Sequence, residues 1–220
     1  MFKSMTYEQL TGLLKQLLEG SKLTLAVFFI TLVFSLPLGL LIAVGRMSRY
    51  KLISKPIEWL IIIIRGTPLM LQIIIVYFAP YYIFGLNYDR FVAANVAFSL
   101  NYAAYFAEIY RGGILSVPHG QTEAGRVLGF SKVQIFFMIT MPQVIKKILP
   151  PISNEVITLV KDTALVQVIG IRELFRVAQT SSSAMAMTTP LLVAGVFYLV
   201  MNLVISKLFT FAENKFNYYS

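Results

Sequence analysis

Three carboxylates stand inside stretches that are otherwise apolar: Glu108, Glu155 and Asp162. Asn101, Tyr105 and Glu108 recur at spacings that put them on one face of a helix, and Glu155, Thr158 and Asp162 do so further along. An ionisable group within a membrane-spanning helix costs ~2.5 to 3.5 kcal/mol to insert, so such groups are functional candidates by default. A cavity lined by these six side chains is acidic and aromatic. It suits an ammonium or guanidinium ligand, through ion pairs and ring stacking. The same charges also have a structural use, because Arg111 is placed to pair with Glu108 and Lys161 adjoins Asp162, and such pairs hold helices together.

Other chemistries are excluded by what is missing. With no cysteine and one histidine, His119, the chain has no thiolate nucleophile, disulfide or multi-histidine metal centre, and no catalytic or metal site is expected. The sequence contains no G-x-x-x-x-G-K-[ST] phosphate loop. No cofactor is therefore expected, and any ATP is bound by another subunit.

The elements that must position these residues are membrane helices. Of 220 residues 57% are hydrophobic and 13% charged, with a mean hydropathy of +0.73. A soluble domain carries roughly a quarter of its residues as charges. The net charge of +9 lies in short clusters between apolar runs, with no basic stripe of interleaved aromatics, so it reads as positive-inside bias rather than a nucleic-acid surface. The expected fold is an all-α integral membrane protein with five transmembrane helices, one domain over residues 1–220. An interfacial segment over 1–21 opens it, with Thr6 and Gln9 spaced as a capping box and Leu10, Leu13, Leu14, Leu17 and Leu18 on one face. No secretory signal pattern is present, so no N-terminal removal is predicted.

The first span runs Leu23 to Gly45 without a charge. A second covers Ile57 to Phe84, interrupted by Gly66-Thr67-Pro68, and a third Phe91 to about Tyr110. The fourth, Ile148 to Ile171, contains Pro150 and Pro151, and the last spans about Thr188 to Phe211. Trp59 is read as an interfacial anchor and His119 as an ordinary loop residue. Arg46, Arg49, Lys51 and Lys55, then Arg111, Arg126, Lys132, Lys146 and Lys147, then Lys207 and Lys215 all fall on one side. By the positive-inside rule that side is cytoplasmic, with the N-terminus outside and the C-terminus inside a cell membrane.

The long connection, residues 119–142, holds Glu123-Ala124-Gly125, then Gly129, then Ile139, Met141 and Pro142. These residues resemble the EAA loop of ABC importer permeases, E-A-A, three residues, G, nine residues, I, one residue, L-P. The spacing agrees across twenty positions, with Gly125 for the second alanine and Met141 for the leucine. Arg65-Gly66-Thr67-Pro68-Leu69, Leu149-Pro150-Pro151 through Asn154-Glu155 to Lys161-Asp162-Thr163-Ala164-Leu165, and Leu18-Glu19-Gly20 before Thr24-Leu25 narrow the resemblance to polar amino acid permeases.

The resemblance implies a type I ABC importer permease fold and a second permease subunit, identical or related. It also implies two cytoplasmic ATPase subunits and an external substrate-binding protein. On that footing Glu123, Ala124, Gly125, Gly129 and Pro142 couple the chain to its ATPase through a cytoplasmic helix. Glu123, placed near the helix start, is favoured there by the helix dipole and can pair with a partner's arginine. The expected cargo is a cationic amino acid: arginine, lysine or histidine. The alternatives are a glutamine or glutamate system, in which Arg65 or Lys161 meets the substrate carboxylate, and an ion-driven secondary transporter using Glu155 and Asp162.

Overall fold

Backbone groups in lipid must find their hydrogen bonds within the chain, and every regular element of residues 5–215, which the computed structural model describes, is helical. In chain order these are α1 (Tyr7–Arg46), α2 (Lys51–Gly66), α3 (Leu69–Phe84), α4 (Arg90–Leu115), α5 (His119–Val127) and α6 (Lys132–Gln134). A π turn (Ile135–Thr140), α7 (Met141–Asp162), a 3-10 turn (Thr163–Ile169), α8 (Leu174–Met185) and α9 (Thr189–Lys215) complete the chain.

Three helical runs among the described residues are long and apolar enough to cross a membrane: α1, residues 132–169, and α9. The pair α2 and α3 makes a fourth if it counts as one span broken at Gly66 to Pro68. The remaining expected crossing, α4, has 26 residues but is less apolar than these. Asn95, Asn101, Tyr105 and Glu108 lower its apolarity. Its small residues Ala93, Ala94, Ala97, Ala103, Ala104 and Ala107 are all buried, so much of its surface meets protein rather than lipid.

The chain forms two compact units, one from residues up to 33, 67–99 and 157–204, the other from 34–66, 100–156 and 205 onward. In the first, Leu13 and Leu17 of α1 pack with Leu174, Val177 and Ala178 of α8 and Ala194 of α9. The segment expected as a separate interfacial helix is thus the opening of α1. Its capping box forms as spaced, Thr6 N–H donating to Gln9 Oε1 at 3.1 Å and Gln9 N–H to Thr6 Oγ1 at 3.3 Å. Gly20 gives close approach, since a Cβ there would stand 3.0 Å from Leu174 Cα.

One turn later Thr24 Oγ1 accepts from Leu174 N–H at 3.3 Å. Beside that bond lies Glu173, fully buried at 0% exposure. Its carboxylate caps α8, accepting from Phe175 N–H and Arg176 N–H, each at 2.7 Å, and from the Tyr198 hydroxyl at 3.0 Å.

The second unit has a core of small residues: Ala43 of α1, Ile61 of α2, and Ala104 and Ala107 of α4. Gly39 carries the α1 to α4 contact, where a Cβ would meet Phe106 Cβ at 2.9 Å and Ala103 O at 3.0 Å. Glu58 is bridged by Arg46 at 2.9 Å and by Lys55 at 2.8 Å, which gathers the first basic cluster around one acid.

Candidate functional site

The connection from 119 to 142 is a small folded module within the second unit. Helix α5 ends in a glycine turn: Gly129 has φ +81°, Phe130 N–H donates to Gly125 O at 3.0 Å, and Gly129 N–H to Arg126 O at 2.9 Å. These are the two bonds of a Schellman motif, and the left-handed conformation it requires is natural to glycine. The chain restarts at once. Ser131 Oγ accepts from Gln134 N–H at 3.3 Å while Gln134 Oε1 accepts from Ser131 N–H at 2.9 Å, a closed capping box.

Gly125 accounts for the first departure from the E-A-A pattern. It is buried, and a Cβ there would stand 2.9 Å from both Ile135 Cγ1 and Ile139 Cδ1 of the π turn. The alanine of the pattern does not fit this packing without movement. Gly125→Leu is expected to displace the π turn and cost about 1–3 kcal/mol, read as a lower melting temperature of the purified permease. An unchanged melting temperature would show that the turn yields freely.

Glu123 and Ala124 are exposed, Val127 and Leu128 are 88% and 71% exposed, and Phe130 is half-buried. The polar helix tip thus carries two bare aliphatic side chains. The dipole expectation for Glu123 does not hold, because the helix begins at His119 and Glu123 lies beyond its first turn, where the field has faded. Pro142 sits in the opening turn of α7, half-buried.

The polar faces lie on α4 and α7. On α4, Asn101 is buried and Tyr105 and Glu108 are half-buried. The Glu108 carboxylate takes three hydrogen bonds from Arg111: Nε to Oε1 at 3.0 Å, Nε to Oε2 at 3.1 Å and Nη2 to Oε2 at 2.7 Å. The structural use weighed for this pair is therefore realised. Tyr105 carries the guanidinium of Arg65 over its ring, 5.0 Å from the centroid. On α7, Glu155 and Asp162 are half-buried and Thr158 exposed, while Val156, Leu159 and Val160 are buried. The three polar residues keep the helical spacing expected of them.

Two features escape the sequence reading. The Arg65 to Tyr105 stack joins residues far apart in the chain, and no spacing announces it. Glu173, flanked by Arg172 and Arg176, reads as one more surface charge.

An all-helical chain with membrane-length runs and a small folded module between two of its helices has the type I ABC importer permease fold. The family model of the binding-protein-dependent transport system inner membrane component matches residues 35–218, and the chain belongs to that family. It is 36% identical over 200 residues to the arginine transport system permease protein ArtQ of Bacillus subtilis, covering 90% of this chain and 91% of that one. It is 35% identical over 200 residues to a Rickettsia conorii protein named as a glutamine transport system permease, covering 90% and 92%. A solved structure of an amino acid ABC transporter with histidines superposes with a TM-score of 0.88 at 34% identity, over 97% of this chain and all of that one. The branch is that of permeases named for polar amino acids.

Proposed function

We propose that this chain forms the translocation path of an ATP-driven importer for a cationic amino acid such as arginine, lysine or histidine. The observation that carries the cationic preference is the pair of acids, Glu155 and Asp162, held with Thr158 on one face of α7 within a membrane-crossing run. An ammonium or guanidinium side chain is the ligand such a face attracts. Asn101 and Tyr105 of α4 are further candidates for contact with the cargo. Glu108 contributes only where Arg111 releases it. Glu123, Ala124, Gly125, Gly129 and Pro142 form or frame the surface that meets the ATPase.

The assembly we propose comprises two permease subunits, identical or related, two cytoplasmic ATPase subunits that bind the ATP, and an external substrate-binding protein. The loop charges favour an N-terminus outside and a C-terminus inside the cell membrane. A glutamine or glutamate system is the second reading, favoured by the engagement of Glu108 with Arg111 and by the relative named for glutamine.

Equilibrium binding of labelled arginine, with glutamine as control, to the complex of permease and ATPase tests the preference. Saturable arginine binding is expected, reduced at least about tenfold in Asp162→Asn with the complex still assembled. Arginine binding unchanged by the substitution removes Asp162 from the site. Tighter binding of glutamine would favour the second reading.

A further inference from the structure

We propose that Arg65 receives the α-carboxylate of the transported amino acid, a role that rests on the amino acid permease reading but not on which side chain the cargo carries. Arg65 is the penultimate residue of α2, about 21 Å along the helix from Lys51 at 1.5 Å per residue. It is exposed, and its guanidinium makes no ion pair among the described residues; the contact it makes is with the Tyr105 ring. The acid two turns away on its own helix, Glu58, is held by Arg46 and Lys55, and the acid one turn from Tyr105, Glu108, by Arg111. Arg65 is thus a cation whose neighbouring acids are already engaged.

Its position narrows the alternatives. A bare guanidinium facing hydrocarbon within a spanning segment is costly, and such groups face water-filled cavities or protein. Immediately after it the helix stops, and Gly66, Thr67 and Pro68 are all exposed. Irregular backbone at membrane depth is tolerated only where it is buried in protein or lines such a cavity. An aqueous path and a second permease subunit both satisfy these conditions, and only the path leaves the guanidinium open to a ligand.

The ligand class follows from the guanidinium. Stacking on Tyr105 occupies one face of the plane and leaves the N–H edge available, the geometry that grips a carboxylate by two parallel bonds. Arginine, glutamine and histidine differ in side chain and share one anionic group, the α-carboxylate. A fixed cation serves that shared group, while residues elsewhere discriminate the side chain.

Labelled arginine is displaced from the purified complex of permease and ATPase by arginine or by argininamide, which lacks the carboxylate charge. Glutamine and its α-amide form a second pair on the same complex. In the unaltered complex the amide is expected to bind at least about tenfold more weakly than the acid. In Arg65→Gln the acid should fall to the level of the amide, so that their ratio approaches one. Arg65→Lys should keep part of the ratio, Tyr105→Phe should keep nearly all of it, and Tyr105→Ala should reduce it. Arg65→Lys and Tyr105→Ala carry the test if Arg65→Gln does not assemble. A ratio that survives in the Arg65 variants, or an unaltered complex that does not distinguish acid from amide, overturns the proposal. So does an unaltered complex that binds none of the four probes. In that event uptake into proteoliposomes supplied with the external binding protein shows whether the permease reading fails as well.

Discussion

A permease carrying Gly129→Val is expected to hydrolyse ATP at nearly the normal rate in its complex while amino acid uptake falls at least about tenfold, the signature of a coupling fault. The reason is conformational. Gly129 has φ +81°, and a Cβ there would meet nothing within 4 Å, so the substitution strains the backbone without crowding a neighbour. A residue with a side chain pays ~1–2 kcal/mol in the left-handed region, and a β-branched one is a true outlier there. The turn then straightens or reroutes, and the two bonds that close it, from Phe130 and Gly129, are lost together. Val127 and Leu128 are then displaced from the surface proposed to meet the ATPase, and the capping box at Ser131 loses its place. Gly129→Asn separates backbone strain from volume, because asparagine tolerates this conformation, and it should retain most uptake. Measured in proteoliposomes, normal uptake by the Gly129→Val complex would mean that the turn does not transmit the motion.

Glu173→Ala should cost about 3 kcal/mol, from the lost cap of α8 and from the Tyr198 hydroxyl and backbone N–H groups left in a buried site. The expected reading is a melting temperature several degrees lower, with much smaller losses for exposed acids such as Glu19 or Glu123. Burial pushes the Glu173 carboxyl above its usual value, against the bonds from Phe175, Arg176, Tyr198 and Thr24 that lower it. The folded chain therefore holds this proton more tightly than the unfolded one. Its contribution to stability grows as pH falls through the raised value, is complete below the ordinary carboxylate value, and is lost as pH rises. Melting profiles between mildly acidic and neutral pH should show that slope in the native protein and a flatter one in Glu173→Ala. Equal slopes would mean that Glu173 does not titrate in this range.

The sequence showed most clearly what depends on local pattern. A charge-free run from Leu23 to Gly45 can only be a crossing, Gly66 and Pro68 break the second span, and the EAA spacing marks the module over 119–142. What stayed hidden depends on distant partners. The leucines at 13 and 17 suit a membrane surface as well as a protein core, and only Leu174, Val177 and Ala178 decide it. Glu173 looks like a surface acid because the residue that meets its neighbour, Thr24, lies at the other end of the chain. Gly125 for alanine is a small change in sequence, and only the two isoleucines against it explain the choice.

The π turn from Ile135 to Thr140 adds a residue to its helical run without adding rotation. A π turn accommodates one residue more than the α-helix around it. Delete one residue there, and the run can revert to plain α-helix at little local cost. The wider turn uses about one residue more for the same rotation, so the face that carries Glu155 would keep its angle relative to α5. At this turn, length can therefore change by one residue while angle does not. A one-residue deletion within the turn should be absorbed more readily than one within α7, where each residue carries about 100° of rotation.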